Sequence, residues 1–251
     1  MKKGFHYALL TAAILTLASC STTKYVPDGS YLLDEVRIHT DNKNVKPSNL
    51  SIYVRQNPNS KWFSLIKTQL YVYNWSGRDS TRWVNRALRR LGDAPVIYSK
   101  EETERSREEM TKAVQNMGYM GATVEYIPKI KKKKVKLAYK VNTGEPYIVR
   151  SLKYDVQDEK IWEYMQKDSA STYLSEGMYF NANILDSERQ RITGNLLRNG
   201  YYKFNKDYIS YTADTVRGTY QVDLTLHLAR YRQHSGAELQ DHPQYTINKV
   251  N

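Results

Sequence analysis

An internal repeat constrains this chain more than any other feature of its sequence. Asn116-Met117-Gly118-Tyr119 aligns with Arg198-Asn199-Gly200-Tyr201 at an offset of 82, and the same offset pairs Arg107 with Arg189, Tyr126 with Tyr208 and Ile127 with Ile209. Further on, Val135-Lys136-Leu137 meets Val222-Asp223-Leu224 at an offset of 87, and Tyr147-Ile148-Val149 matches Tyr245-Thr246-Ile247. The five-residue slip falls in polar sequence, where a hairpin loop would absorb it. A chain that repeats in this way must solve one packing problem twice, so each copy is expected to be a small unit with its own elements. Residues 243–251 read as the first strand of a third, truncated unit, and a chain stopping on an unpaired strand is expected to be a fragment.

The order of elements within each copy follows from periodicity. In the first, Ser99 and Glu102 form a Ser-x-x-Glu capping box. They open a helix on which Met110, Ala113, Val114 and Met117 recur at helical spacing, and Gly118 stops it. In the second, Asp186 or Asn183 is the expected cap, Leu185, Ile192, Leu196 and Leu197 form the buried stripe, and Gly200 is the stop. Each helix leads into two alternating runs joined by a polar loop: Thr123 to Ile130 with Val135 to Val141, and Asp207 to Ala213 with Tyr220 to Leu228. Ahead of each long helix lie a strand-like run, Glu35 to Thr40 or Ile148 to Val156, and a shorter helix candidate, Asn49 to Gln56 or Asp158 to Lys167. Three strands bury one face only if both helices cover it. The predicted fold class is therefore α+β, tandem units of two helices on a three-stranded sheet, at residues 32–146 and 147–232. The first unit is stretched by an insertion at 57–98 that includes a predicted helix from Thr81 to Leu91. On it Val84, Ala87, Leu88 and Leu91 share one side, with Arg82, Arg86, Arg89 and Arg90 largely elsewhere, expected to be a solvated face.

The first residues are an address. Lys2 and Lys3 precede an apolar run from Ala8 to Ala18, far short of the roughly 20 residues that cross a bilayer, so residues 1–19 read as a signal peptide. The run ends in Leu17-Ala18-Ser19-Cys20, which resembles the bacterial lipobox. That likeness implies that Cys20 carries palmitate-type acyl chains and becomes the new N-terminus, followed by a linker over residues 20–31. Cys20 is the chain's only Cys, which excludes a disulfide framework. The full sequence carries 38 Lys and Arg against 26 Asp and Glu, a formal charge of +12, and losing Lys2 and Lys3 leaves +10. For an exported basic protein the natural counter-charge is anionic lipid or acidic polymer, and nucleic acid is not an expected partner. Ser21 stands where lipoproteins retained in the inner membrane commonly carry Asp, so the resemblance points to the outer membrane.

Chemistry finds little purchase. His39, His227, His234 and His242 sit in no local pattern that supplies a base to a nucleophile, and Gly-x-Ser-x-Gly, Walker-type and His-Glu-x-x-His motifs are absent. No catalytic residue, cofactor or metal site is nominated, and the chain reads as a non-enzyme. Lys131, Lys132, Lys133 and Lys134 form the sharpest charge feature. They are candidate contacts to anionic headgroups at about 1 kcal/mol per Lys, with a solvated hairpin tip as the favoured reading. The 22 Tyr are spread through strand-like segments, where β-propensity and half-buried packing account for them.

A β-α-α-β-β unit repeated in tandem, with Gly-Tyr after its second helix, resembles the POTRA domain of the BamA/TamA superfamily of outer-membrane assembly factors. The residues that carry the likeness are Tyr25-Val26-Pro27, Asn57-Pro58-Asn59 with Tyr73-Asn74, and Arg105-Ser106 with Gly118-Tyr119. With Cys20 acylated, the chain resembles the lipid-anchored TamL-like branch. This resemblance implies a module held at the outer membrane and facing the periplasm. It would receive unfolded outer-membrane proteins by strand augmentation and dock to a β-barrel, its own or a partner's, with an inner-membrane or periplasmic accessory protein as a further expected partner. The family sheet order implies free edges at Thr123 to Ile130 and Asp207 to Ala213. Pro128 removes one donor from the first, so the favoured peptide-binding edge is Asp207, Tyr208, Ile209, Ser210 and Tyr211. The rival reading is a free-standing outer-membrane lipoprotein that binds anionic lipid or envelope glycan through its basic faces.

Overall fold

A computed structural model describes residues 22–62 and 66–246. The signal peptide, the lipobox with Cys20, and residues 247–251 of the expected third unit lie outside the described residues. Residues 243–246 are described and form no strand.

The alternating runs fold into two three-stranded sheets. Strands β1 (Leu32–Thr40), β2 (Thr123–Lys131) and β3 (Lys134–Asn142) form the first, in the order β1-β3-β2. Strands β4 (Ile148–Val156), β5 (Ile209–Thr215) and β6 (Gln221–Leu228) repeat that order as β4-β6-β5. In each sheet the central strand pairs antiparallel with its hairpin partner and parallel with the strand that opens the unit. Central-strand alternation is strict. Val135, Leu137, Tyr139 and Val141 are buried in β3, and Val222, Leu224, Leu226 and Leu228 in β6.

Six α-helices are described: α1 (Pro47–Leu50), α2 (Thr68–Trp75), α3 (Trp83–Leu91), α4 (Lys100–Asn116), α5 (Glu159–Lys167) and α6 (Ala182–Arg198). Cα positions cluster into two bodies. One holds the described residues up to Thr111 with Thr123–Asn142, and the other holds Lys112–Ala122 with the described residues from Thr143 on. The chain is thus a tandem pair of α+β units, as the periodicity predicts. In the second body Ile161 of α5 and Leu185, Ile192 and Leu196 of α6 share one core with the inward face of β6.

The Gly-Tyr signature has a direct physical basis. Gly118 and Gly200 take φ of 99° and 90°, the left-handed region where a Cβ is costly. Gly118 N–H donates to Gln115 O and Tyr119 N–H to Val114 O, and Gly200 N–H donates to Leu197 O and Tyr201 N–H to Leu196 O. Both are Schellman motifs, in which Gly reverses the chain and the next side chain folds back onto the helix. The Tyr side chains are accordingly buried, and burial pushes the Tyr201 hydroxyl up to about 12.

Several boundaries differ from expectation. Ser99 Oγ accepts from Glu102 N–H, but Ser99 N–H donates to Gln56 Oε1 and the Glu102 carboxylate pairs with Arg55, so the capping box is half formed. The second long helix is capped by Asn181, whose side chain accepts from Asn183 N–H, while Asn183 and Asp186 lie inside the helix. Leu197 is exposed rather than buried. The helix expected over 49–56 is the shorter α1 followed by a 3₁₀ turn at Ser51–Tyr53.

The slip between copies is also divided differently. Tyr126 faces Tyr139 while Tyr211 faces Leu226, and Val124 faces Val141 while Ile209 faces Leu228. Tyr126 is therefore the counterpart of Tyr211, not Tyr208, and Val124, not Ile127, the counterpart of Ile209. Three of the extra residues form the 3₁₀ turn Lys206–Tyr208 ahead of β5, and the hairpin loop absorbs the other two.

Candidate functional site

Backbone polarity decides which sheet edges are open. The edge at β1 begins covered: Leu33 N–H donates to Val96 O and Tyr98 N–H to Tyr31 O, so the segment leading into α4 pairs with it. The edge at β4 is covered in the same way. Val149 N–H donates to Met178 O and Gly177 N–H to Val149 O. The opposite edges, β2 and β5, are the ones left to template another strand.

Along β5 the two ends of the ladder fix the alternation. Ala229 N–H donates to Tyr208 O at 2.8 Å, and Val216 N–H to Gln221 O at 2.9 Å. In an antiparallel pair, hydrogen-bonded residues alternate with residues whose polar groups turn away. The even positions of β5 therefore bond to β6, and Ile209, Tyr211, Ala213 and Thr215 turn N–H and C=O outward. On β2 the turn sets the phase. Lys132 and Lys133 have φ of 47° and 59°, the two-residue type I′ geometry, which makes Lys131 and Lys134 a hydrogen-bonded pair. Val124, Tyr126 and Ile130 then turn their N–H and C=O groups outward, and Pro128 occupies the outward position where its missing N–H costs the ladder nothing.

Beside β5 the helix layer leaves a groove. A cavity of about 420 Å³ is lined by Ala182, Leu185, Asp186 and Arg189 of α6 and by Asp207, Ile209, Ser210 and Tyr211. Tyr211 spans its floor, its hydroxyl donating to Leu185 O at 3.3 Å. Burial, reinforced by the Glu188 carboxylate, holds that phenol well above its ordinary value, so it stays neutral. One end of the groove is charged. Arg189 donates to Lys206 O and pairs with Asp186 and Asp207, and Asp186 also accepts from Lys206 and Gln190. Hydrogen bonds from Gln190 and Lys206 hold the Asp186 carboxyl below the usual range.

A buried network fixes α6, the groove's wall. Glu188 is 1% exposed, yet its carboxylate accepts from Thr172, from Tyr173 N–H and from Arg191, which also pairs with Asp168. Burial alone would raise its pKa; the three donors reverse the direction and hold it down. Ser106, at the matching position of α4, has the same task in the first unit and accepts from Arg55 N–H. Each long helix thus satisfies the backbone of a preceding segment through one inward polar side chain.

The nominated edge residues do not all sit in the strand. Asp207 and Tyr208 belong to the 3₁₀ turn, where Asn205 accepts from Asp207 N–H, so the strand starts at Ile209. Ile209 is 1% exposed and its side chain belongs to the core; Ser210 is exposed and Tyr211 half-buried. Ala213 lay within the expected edge but was not nominated, and sequence reasoning missed Thr215, which also carries outward polar groups, and the wall residues Ala182, Leu185 and Arg189. The phase of Pro128 could have pointed to Ala213, had the copies been aligned by strand pairing. At the hairpin tip Lys133 is engaged, donating to Asp28 Oδ1 at 2.8 Å and to Val26 O at 3.3 Å, while Lys131 and Lys132 are exposed. Among the described residues no group of three or more His, Cys, Asp or Glu could hold a metal ion. No described helix is long and apolar enough to cross a membrane.

Residues 31–144 match the POTRA family model, described as a surface antigen variable number repeat. No curated protein matches the chain. Among solved structures it is similar to BamA from Haemophilus ducreyi lacking POTRA domains 1–3, at 18% identity and a TM-score of 0.38, covering 79% of this chain and 29% of that one. It is similar as well to POTRA1–3 of the periplasmic domain of Omp85 from Anabaena, at 13% identity and a TM-score of 0.27, covering 79% and 95%. CdiB from Escherichia coli shares 6% identity at a TM-score of 0.28, over 84% of this chain and 30% of that one. The chain thus spans less than a third of the BamA and CdiB chains. The fold assignment rests on the family match and on the repeated strand order.

Proposed function

We propose that this chain is the periplasmic, polypeptide-binding region of an outer-membrane protein assembly factor of the BamA/TamA superfamily, in its lipid-anchored TamL-like branch. Acylated Cys20 would hold it at the outer membrane. It would receive extended segments of unfolded outer-membrane proteins and present them to a β-barrel, with an envelope accessory protein as a further partner.

The observation that carries this reading is the open β5 edge beside a groove. Ile209, Tyr211, Ala213 and Thr215 offer outward N–H and C=O groups, and the cavity of about 420 Å³ alongside can take side chains that alternate along an added strand. A segment with an apolar residue at every second position suits both features. No step of covalent chemistry enters this reading.

The test is amide hydrogen exchange on the chain from Ser21 onward, with and without a peptide that copies one alternating barrel strand. Protection gained at Ile209, Tyr211, Ala213 and Thr215, and kept when salt is raised, is the expected result. Protection elsewhere, or binding abolished by salt, would favour the rival reading, in which basic faces hold anionic lipid or glycan. Exposed Lys131 and Lys132 are the part of the hairpin tip that supports the rival. Mass spectrometry of the N-terminal peptide from membranes tests the anchor, the expected mass being that of an acylated Cys20.

A further inference from the structure

The insertion at 57–98 contains a helix built inside out. Along α3 the buried residue is Asn85, which accepts from Gly77 N–H at 2.7 Å and donates to Asp79 O at 2.6 Å. One turn on, Arg89 donates to Ser76 Oγ, Gly77 O and Arg78 O. This polar side holds the helix to the protein. Trp83, Val84, Ala87 and Leu91 cluster about 160° round the helix from it, at 100° per residue. That apolar side faces solvent: Trp83 is 74% exposed and Leu91 71%. Exposed Arg86 and Arg90 flank the apolar stripe. A helix of a water-soluble domain does the reverse, turning its apolar stripe inward.

Helix α2 also leaves an apolar side uncovered, although it buries one Leu. Leu70 and Asn74 are its buried positions. Thr68, Tyr71, Val72 and Trp75, with Ile66, line an open and largely apolar cavity of about 370 Å³. Trp62, Trp75 and Trp83 place three of the chain's four Trp in this insertion, among seven Lys and Arg against two Asp. An exposed apolar stripe edged by Arg, with Trp at its margin, is the composition of a helix that lies in the plane of a bilayer interface.

The chain's own course names the occupant. Lys24 Nζ donates to Asn74 O and Ser76 O, and the Tyr25 hydroxyl donates to Ser76 O, so the N-terminal segment is fastened to the end of α2. The Tyr25 ring also meets the Arg89 guanidinium at 5.4 Å. Described structure begins at Thr22, two residues after the lipobox Cys20. Any lipid carried on Cys20 would therefore be tethered a few residues along the chain from the point fastened to the end of α2.

We infer that α3, with the apolar face of α2 beside it, is an interfacial membrane-binding platform that seats the first unit on an anionic lipid surface next to the acyl anchor. This goes beyond the peptide-binding reading and depends on different residues. The platform would supply the second of the two signals that stable anchoring of a lipidated protein requires.

The test uses the mature chain from Ser21 onward, hence without lipid, and vesicles of phosphatidylcholine with or without about one-quarter phosphatidylglycerol. Expected results are co-flotation with the anionic vesicles, a blue shift of Trp emission, and quenching by brominated acyl chains. Leu91→Asp, at an exposed position, should keep the fold and the melting temperature while weakening partition by about tenfold, since it removes one Leu-sized apolar contact. Arg86→Gln and Arg90→Gln should each cost about fivefold on anionic vesicles. Lys131→Gln with Lys132→Gln should leave the Trp shift unchanged, which separates the platform from the hairpin tip. Failure of the wild type to bind anionic vesicles, or equal binding by Leu91→Asp, would overturn the proposal. So would a dimer in light scattering that Leu91→Asp dissolves, since a second copy would then cover the stripe. None of these readouts involves a peptide, so the augmentation reading stands or falls separately.

Discussion

The first unit already carries a natural experiment on the second. Pro128 and Ala213 are counterparts by strand pairing, since Pro128 faces Leu137 and Ala213 faces Leu224. Both occupy outward positions, and Pro128 shows that the fold accepts Pro there. Ala213→Pro should therefore leave the β5–β6 ladder whole and melt close to the wild type. It removes one of four outward N–H groups and puts a ring where an incoming strand must approach. One lost hydrogen bond is worth roughly 0.5–1.5 kcal/mol net. With the ring's obstruction, a total of about 1–2 kcal/mol is expected, a Kd raised about five- to thirtyfold. Fluorescence anisotropy with a labelled barrel-strand peptide reads this directly. Thr212→Pro is the control. Its N–H bonds to β6, so that change should destabilise the unit itself. The reciprocal Pro128→Ala should open the first edge and add a second, weaker binding event. A folded Ala213→Pro variant with unchanged affinity would refute the augmentation reasoning.

Three further changes probe the frame around the site. Glu188→Ala should lower unfolding free energy by about 3–5 kcal/mol in urea titration, since it leaves Arg191 and Tyr173 N–H without their buried acceptor. Because the Glu188 pKa is depressed on folding, its contribution is present above the unfolded value and lost as pH falls through the folded one. Glu188→Gln should therefore flatten the acid limb of the stability profile. Gly200→Ala should cost at least about 1 kcal/mol, because φ is 90° and the new Cβ would collide with Tyr245 O. Lys132→Gly, which leaves the Lys133 bonds to Asp28 and Val26 in place, should gain about 0.5–1 kcal/mol in thermal melts by relieving left-handed strain at the hairpin tip.

Periodicity read the elements well and their surroundings poorly. The runs on β3 and β6 and the stripe on α6 were legible because one face of each is buried and the other wet, while β2 and β4 alternate in sequence although each buries a single residue. The stops at Gly118 and Gly200 were legible because their backbone geometry needs Gly. The start of β5 was not, since Asn205-Lys206-Asp207 forms a local turn that alternation cannot see. α2 escaped notice because it has no inward stripe to detect. For α3 the stripe was found and its direction was not, because spacing says which residues share a face and nothing about what that face meets. The expected edge strand does lie at the rim of its sheet, but which of its residues point outward depends on ladder phase. That phase is set by pairing across the sheet, a relation no local window contains.

The order in which strands join each sheet has a consequence for how the protein is made. The central strands β3 and β6 come last in their units, and β1 waits for a partner about a hundred residues later, from Leu32 to Lys134. Loop closure over that span costs little more than over the shorter second unit, because the penalty grows only with the logarithm of length. Assembly in time is the harder problem. A chain that emerges N-terminus first exposes β1, both insertion helices and β2 before the central strand exists for them to pair with. No partial sheet can form, and a chain cut short before β3 should have no sheet in its first unit. The open sheet edge comes into being only when the last strand arrives, so an unfinished unit has no template with which to capture its neighbours.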